Sequence, residues 1–318
     1  MLKYTLKRVL AMIPVLLVIS FVVFLIIYLT PGDPASSMLG LEASADQIAA
    51  VNESLGLNQP LAQRYLTWMA GVLHGDLGES YFMNMPVSAA IAEHFLPTLS
   101  LALLAEFVAL VISIPCGIVA ALRHGSKADV TLRVIALLGV AIPSFLMALI
   151  LMWVFAVTLK VFPVAGYEPM SSGLGEHLRY LALPSLSLGC VQAALLMRMT
   201  RSSVIEAMQL DCVKTARAKG VSEARVVWHH AVRNAALPIL TSVGYSFGAL
   251  LTGAVVTEVI FNIPGLGQLV TNSIERRDYP TIQGVLLVIA LINSVVNLLV
   301  DLAYGAFDPR ARKWGDAR

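Results

Sequence analysis

The chain has 318 residues, of which 58 % are hydrophobic and 13 % charged. A soluble domain is nearer half apolar and a quarter charged, so this composition excludes an ordinary water-soluble enzyme and a disordered chain. The formal net charge of +2 decides little, because in membrane proteins the placement of charge matters more than its sum.

A helix needs about 20 mostly apolar residues to cross the hydrocarbon core. The first such block, 9–29, carries no charge. Lys3, Lys7 and Arg8 precede it, as in a signal peptide. The apolar run is too long for a signal core, however, and no small-residue cleavage site follows. Pro31-Gly32-Asp33-Pro34 follows instead, a helix stop and a turn. The block is therefore read as a retained transmembrane helix, and 1–29 as an inner N-terminus plus the first span. Residues 30–98 form a large outer segment, too long for a tight connection. Within it Leu61, Tyr65, Trp68, Met69, Val72 and Leu73 recur at roughly helical spacing. That spacing predicts an amphipathic helix on the membrane surface or against the bundle.

Five more apolar blocks follow in 99–318, at 99–122, 134–159, 180–197, 235–257 and 279–300. Only the first of these contains a charge, Glu106. Pro115, Pro143 and Pro184 are expected to interrupt the second, third and fourth spans, where neighbours or a cavity satisfy the freed carbonyls. Gly244 and Gly248 form a GxxxG pair in the fifth span, with Gly253 beyond, which suits close helix packing. With the N-terminus inside, the inner segments hold 17 Lys and Arg and the outer segments 5. This bias predicts that both termini are cytoplasmic. The expected fold is an all-α integral membrane protein with six transmembrane helices.

Polar groups inside the spans are the candidate pathway-lining residues: Glu106, Asn293 and Asn297. An acidic side chain near a helix centre costs about 2.5–3.5 kcal/mol on insertion scales. Glu106 lies about 10 Å into its span at 1.5 Å per residue, so it should face the bundle interior. It either lines a pathway and meets a cationic group of a cargo, or it is protonated or hydrogen-bonded to a neighbouring helix. Asn293 and Asn297 lie four apart on one face of the sixth span. They either bond across helices or line the pathway. Glu258 and Asp301 fall at predicted span ends, where a solvated or capping carboxylate is cheap, and structural roles are expected of both. The six histidines and three cysteines show no metal-ligand spacing. No nucleophile–base pair stands out either. Neither a metal site nor catalytic residues are expected.

The inner loop 198–234 is basic and is the second polar part. Residues 203–218 are mostly helix formers, and Gly220 suits a helix C-cap or turn. A second helix is expected from Ser222 to about Asn234. Such a pair makes a knob that can project from the membrane and dock in a groove. Ala216 and Ala218 would allow close approach, and Lys214, Arg217 and Lys219 would meet acidic or polar groups. A basic inner loop can also simply touch anionic lipid headgroups. Nucleic acid is a poor partner for it, since the basic residues sit beside membrane spans and Trp228 is nearly the loop's whole aromatic content.

Glu206-Ala207, followed by Gly220 and Leu237-Pro238, resembles the EAA loop of membrane subunits of ATP-binding-cassette importers. Thr215-Ala-Arg-Ala-Lys-Gly220 and Arg233-Asn-Ala-Ala-Leu-Pro238 are similar to the dipeptide, oligopeptide and nickel permease branch. Pro31-Gly-Asp-Pro34, His74-Gly-Asp-Leu-Gly78, Thr257-Glu-Val-Ile-Phe261, Pro264-Gly-Leu-Gly267, Arg277-Asp-Tyr-Pro280, Asn297-Leu-Leu-Val-Asp301 and Asp308-Pro-Arg310 also resemble that branch, in order along almost the whole chain. Cys212 departs from it, since an aromatic residue, usually Tyr, often stands at this place. A smaller residue would leave a gap in a partner's groove.

The resemblance implies the type I importer permease fold and a multi-pass protein of the bacterial plasma (inner) membrane. This chain would form half of a translocation pathway with a homologous second permease subunit, in a heterodimer. Two cytoplasmic ATP-binding subunits would dock on the inner loops, and an external or periplasmic solute-binding protein would deliver di- or oligopeptides. The contact candidates, carried over by position, are Glu206, Ala207, Thr215, Ala216, Arg217, Ala218, Lys219 and Gly220. The chain has no Walker A pattern, so ATP and Mg would belong to the partner subunits and no cofactor to this chain. The same machine importing nickel, a metal chelate or glutathione is the nearest alternative. An ion-coupled secondary transporter with Glu106 as its proton site is the alternative of another class.

Overall fold

The computed structural model describes residues 2–29, 44–54, 56 and 58–307. The Pro31–Pro34 and Asp308–Arg310 motifs therefore lie outside the described residues. Apart from one isolated bridge between Glu79 and Pro86, the described elements are helical. They are α1 (Leu2–Leu29), α2 (Ala45–Ser54), α3 (Leu61–Leu73), α4 (Val87–Leu122), α5 (Lys127–Ala141), α6 (Ser144–Leu151), α7 (Leu174–Met208), α8 (Asp211–Ala218), α9 (Glu223–Phe261), α10 (Leu266–Arg276) and α11 (Tyr279–Phe307). A π-helical stretch, Met152–Thr158, continues α6, and another, Val226–Ala231, lies inside α9.

Five helices are long and apolar enough to cross a membrane: α1, α4, α7, α9 and α11. The block 134–159 is not one straight span. α5 and α6 meet at a bend of 99° and make a sixth span only as a pair. The cause is Pro143. Its ring pushes the preceding residue out of the helical region, and Ile142 sits extended at φ −84°, ψ 119°. Pro115 and Pro184, expected to interrupt their spans, instead lie within continuous helices α4 and α7. α4 starts at Val87, ahead of the apolar block 99–122, so the last part of the outer segment 30–98 is helical.

The chain divides into two compact units. The larger comprises 1–8, 99–263 and 295–318. Its core joins Leu101, Leu181, Leu183, Leu250, Phe261 and Ile263, all buried. α4 and α7 approach closely because Gly189 has no side chain. A Cβ there would stand 2.7 Å from the Ala105 carbonyl oxygen. Gly244 of the GxxxG pair packs directly on Val300 of α11. Glu258, expected to be solvated or to cap a helix, is 0 % exposed. The helix it belongs to ends instead at Asn262, which takes the left-handed conformation (φ +51°).

The smaller unit comprises 9–98 and 264–294. The amphipathic helix expected around 61–73 is α3. Its apolar face lies on α1, with Tyr65 edge-on to Phe21 and Phe24 at 5.5 and 5.3 Å. Ser20 Oγ and Tyr65 OH share a hydrogen bond of 2.9 Å. A second core joins Val87, Ala90 and Ile91 to Leu266, Leu269 and Val285. Asp278, 2 % exposed, pins the turn that follows the His74–Gly78 motif. It accepts hydrogen bonds from Ser80 Oγ (2.5 Å), the Tyr81 amide (3.2 Å) and Thr281 Oγ1 (2.8 Å). Burial, helped by the Asp278 charge, pushes the Tyr81 phenol up to about 12.

Candidate functional site

The loop from α7 into α9 is built differently from the two-helix knob expected of it. The run of helix formers at 203–218 breaks at Gln209 and Leu210. Leu210 turns extended (φ −64°, ψ 146°), and its carbonyl accepts from the Val213 and Lys214 amides to start α8. Gly220 takes φ +74°, a conformation that costs glycine nothing. The second expected helix, Ser222 to Asn234, is the first part of the long helix α9. The projecting piece is thus the single helix α8.

Val213 and Ala216 on the inward face of α8 pack with Val226 at the start of α9. Below them Val204 and Ala207 of α7 pack with Val227, Ala231 and Ala235. Two of the eight contact candidates, Ala207 (5 % exposed) and Ala216 (6 %), therefore belong to the loop's own core. Glu206, Thr215, Arg217, Ala218, Lys219 and Gly220 are exposed. The basic side chains are partly engaged within the loop. Arg217 grips Glu223 with two hydrogen bonds of 2.8 and 3.1 Å, across the Gly220 turn. Lys214 pairs with Asp211 at 2.9 Å. Cys212 is exposed, 3.9 Å from the Asn234 side-chain nitrogen.

A feature that sequence reasoning missed anchors this loop from behind. Asp129, near the start of α5, is 1 % exposed. Arg201 of α7 holds both its oxygens, at 2.7 and 2.9 Å, and the Gly125 amide donates to Oδ2 at 3.0 Å. Arg133 adds a longer ion pair of 3.4 Å. Arg201 lies on the helix that leads directly into α8. The partners stand 72 residues apart, so no local pattern announces the pair.

Glu106 is 6 % exposed and bonded across helices: Ser246 Oγ of α9 donates to its Oε2 at 2.8 Å. Its Oε1 is buried without a hydrogen-bond partner. Gln192 of α7 donates to the Ser246 carbonyl at 3.0 Å. Beside this cluster lies a cavity of about 350 Å³, walled by Gln192, Ser242, Tyr245, Ser246 and apolar side chains of α7 and α9. Asn297 lines another, of about 320 Å³, with Arg8, Thr241, Tyr245 and Asp301. Arg8 and Asp301 form a 2.8 Å ion pair there. Asn293 is half-buried and is not among the lining residues of either cavity. Tyr245, which lines both, carried no sequence signal beyond lying in an apolar block.

Comparisons with known proteins agree with this architecture. A family model described as "Binding-protein-dependent transport system inner membrane component" matches residues 113–313, and the N-terminal model of such membrane components matches 1–102. The chain is 38 % identical over 309 residues to the "Probable peptide ABC transporter permease protein y4tP" of Sinorhizobium fredii, covering 97 % of this chain and 99 % of that one. It is 41 % identical over 312 residues to the "Glutathione transport system permease protein GsiC" of Salmonella typhimurium, covering 98 % and 99 %. Among solved structures, a chain of the inward-facing MetNI methionine ABC transporter shares the fold, with a TM-score of 0.56 and 14 % identity over 69 % of this chain and 96 % of that one. The fold is that of a type I importer permease, and the chain belongs to the family of binding-protein-dependent transport system inner membrane components, the permeases of ABC transporters.

Proposed function

We infer that this permease forms half of the pathway of an ATP-driven importer of short peptides in a bacterial inner membrane, with both termini in the cytoplasm. A homologous permease subunit supplies the other half. Two ATP-binding subunits carry the ATP and Mg, and an external binding protein delivers the cargo. α8 is the coupling helix. The observation that carries this reading is its construction: a short helix seated by Val213 and Ala216 on its own chain, with Thr215 and Arg217 to Gly220 turned outward. The Arg217–Glu223 grip holds the turn in shape, so the exposed edge meets a partner pre-formed rather than as loose basic side chains. Glu206 lies at the base of this edge. The domain division follows: 1–29 and 99–318 form the spanning part, 30–98 the external segment, and 198–234 the coupling loop.

When ATP closes the ATPase pair, α8 moves with its groove. Arg201 and Asp129 pass that displacement from α7 to α5, and the two permease subunits alternate access. Removing 214–220 from the assembled transporter tests the coupling role. The expected outcome is an inserted chain, lost uptake, and ATP hydrolysis no longer stimulated by loaded binding protein. Normal coupled uptake after the deletion would contradict it. Glutathione is the second reading for the cargo, favoured by the 41 % identity to a permease named for glutathione transport. Purified binding protein titrated with dipeptides and with glutathione separates the two.

A further inference from the structure

Tyr245 is out of place for a residue facing lipid. It lies mid-way along the apolar block 235–257, roughly 15 Å from either end at 1.5 Å per residue. Interfacial tyrosines sit at the headgroups, not there. Yet its side chain is 69 % exposed on this chain. Thr241, Ser242 and Ser246 lie within one turn of it on α9, and Gln192 faces them from α7. Thr241 and Ser242 donate to the Leu237 and Pro238 carbonyls of their own helix, and Ser246 and Gln192 are bonded as described above. The Tyr245 phenol is the polar group left open mid-span, and against hydrocarbon it costs free energy unless protein or water meets it. This face of α9 therefore turns toward protein or water.

The strip is hollowed on both sides of Tyr245. One cavity, about 350 Å³, is floored by Leu195, Leu196, Met199 and Ala249. The other, about 320 Å³, holds the Arg8–Asp301 ion pair together with Thr241 and Asn297. One hollow is mostly apolar and has room to spare for a bulky side chain. The other presents both signs of charge. A short zwitterionic peptide has the same division: apolar side chains on a backbone that ends in an ammonium and a carboxylate.

We propose that the two hollows flanking Tyr245 form a cargo furrow, in which the Leu195–Ala249 hollow takes an apolar side chain of a short peptide, the Arg8–Asp301 hollow takes its charged ends, and Tyr245 stands between them. The proposal rests on the importer reading above and names the pathway surface of that same site. A dipeptide's carboxylate competes with Asp301 for Arg8, and its ammonium competes with Arg8 for Asp301. The two charged ends thus exchange one half-exposed ion pair for two, a weak binding step from which cargo can leave.

The test uses the complete transporter in proteoliposomes with its binding protein, and compares uptake of leucyl-leucine, glycyl-glycine and glutathione. Ala249→Trp fills the apolar hollow. The expected result is a fall of at least tenfold in the ratio of leucyl-leucine to glycyl-glycine uptake, with glutathione, which has no bulky apolar side chain, following glycyl-glycine. A ratio unchanged within twofold, or a parallel loss of all three, overturns the proposal when the ATPase subunits still co-purify. If they do not, Ser242→Cys in a chain with Cys116, Cys190 and Cys212 replaced by serine decides the matter. Its labelling by a charged maleimide should slow at least threefold during leucyl-leucine import. Labelling that is absent, or indifferent to import, means that lipid or the second permease subunit covers the strip, and the proposal fails. A wild-type complex that takes up none of the three refutes the importer reading instead, and one that takes up glutathione alone refutes the short-peptide cargo, in either case before any variant is made.

Discussion

Asp129 accepts two hydrogen bonds from Arg201 and one from a backbone amide, and its residue is 1 % exposed. Removing one charge of such a pair leaves the other uncompensated, which costs more than the pair is worth. Asp129→Asn should therefore lower stability by about 2–3 kcal/mol, read as a lower midpoint of thermal unfolding in detergent. Asp129→Glu, whose longer side chain keeps the charge, should recover part of the loss. An unchanged midpoint in Asp129→Asn would show that the grip on Arg201 contributes nothing. Glu106 differs in kind. It meets a hydroxyl rather than a cation, and the sequence already pointed to it, because a lone acid in an apolar block is conspicuous. Asp129 and Arg201 were invisible there. Both sit among other charged residues of the polar segments 123–133 and 198–234, and only the packing of α5 on α7 brings them together.

Helices in this chain are long where backbone groups find partners inside the helix, and broken where they cannot. Apolar blocks were legible because a span must exceed a minimum hydropathy over a minimum length. The helices' true starts were not. α4 begins at Val87 in a stretch with Ser88, Glu93 and His94, since packing against α10 and α11 in the same unit, not hydropathy, decides its first turns. The break before α8 was hidden for the opposite reason. Gln209 and Leu210 are good helix formers, and Leu210 departs from the helix because α8 must swing round to bury Val213 and Ala216. Close approach of helices can be tested by adding a single methyl. Gly189→Ala meets the Ala105 carbonyl oxygen, and Gly244→Ala meets the Val300 side chain. Each should cost about 1–3 kcal/mol through overpacking. Adding Val300→Ala should restore most of the stability of Gly244→Ala. No side-chain trim should rescue Gly189→Ala, because backbone stands in the way. Equal rescue of both would contradict the packing described.

At the scale of the molecule, the excess of Lys and Arg on one set of segments predicts sidedness. Single cysteines in 44–86 should react with an impermeant thiol reagent from outside intact cells, and those at 211–220 only after the inner face is opened. The reverse pattern would overturn the orientation and, with it, the coupling role of α8. The ordered motifs made the family legible from sequence, and some of them occupy turns whose geometry admits few residues. Gly220 at φ +74° and Asp278 with its three donors are examples. Tyr245 and the hollows beside it were not legible, since exposure within an apolar span appears only once the helices are packed.

The central claim is that this chain works as the membrane subunit of an ATP-driven importer through a docked ATPase. Purifying it from its native membrane in mild detergent and identifying what accompanies it by mass spectrometry tests that claim most directly. A homologous permease subunit and a Walker A ATPase should accompany it, and removal of 214–220 should release the ATPase while the permease subunit stays bound. Recovery of the chain alone, still supporting uptake in liposomes without ATP, would contradict it.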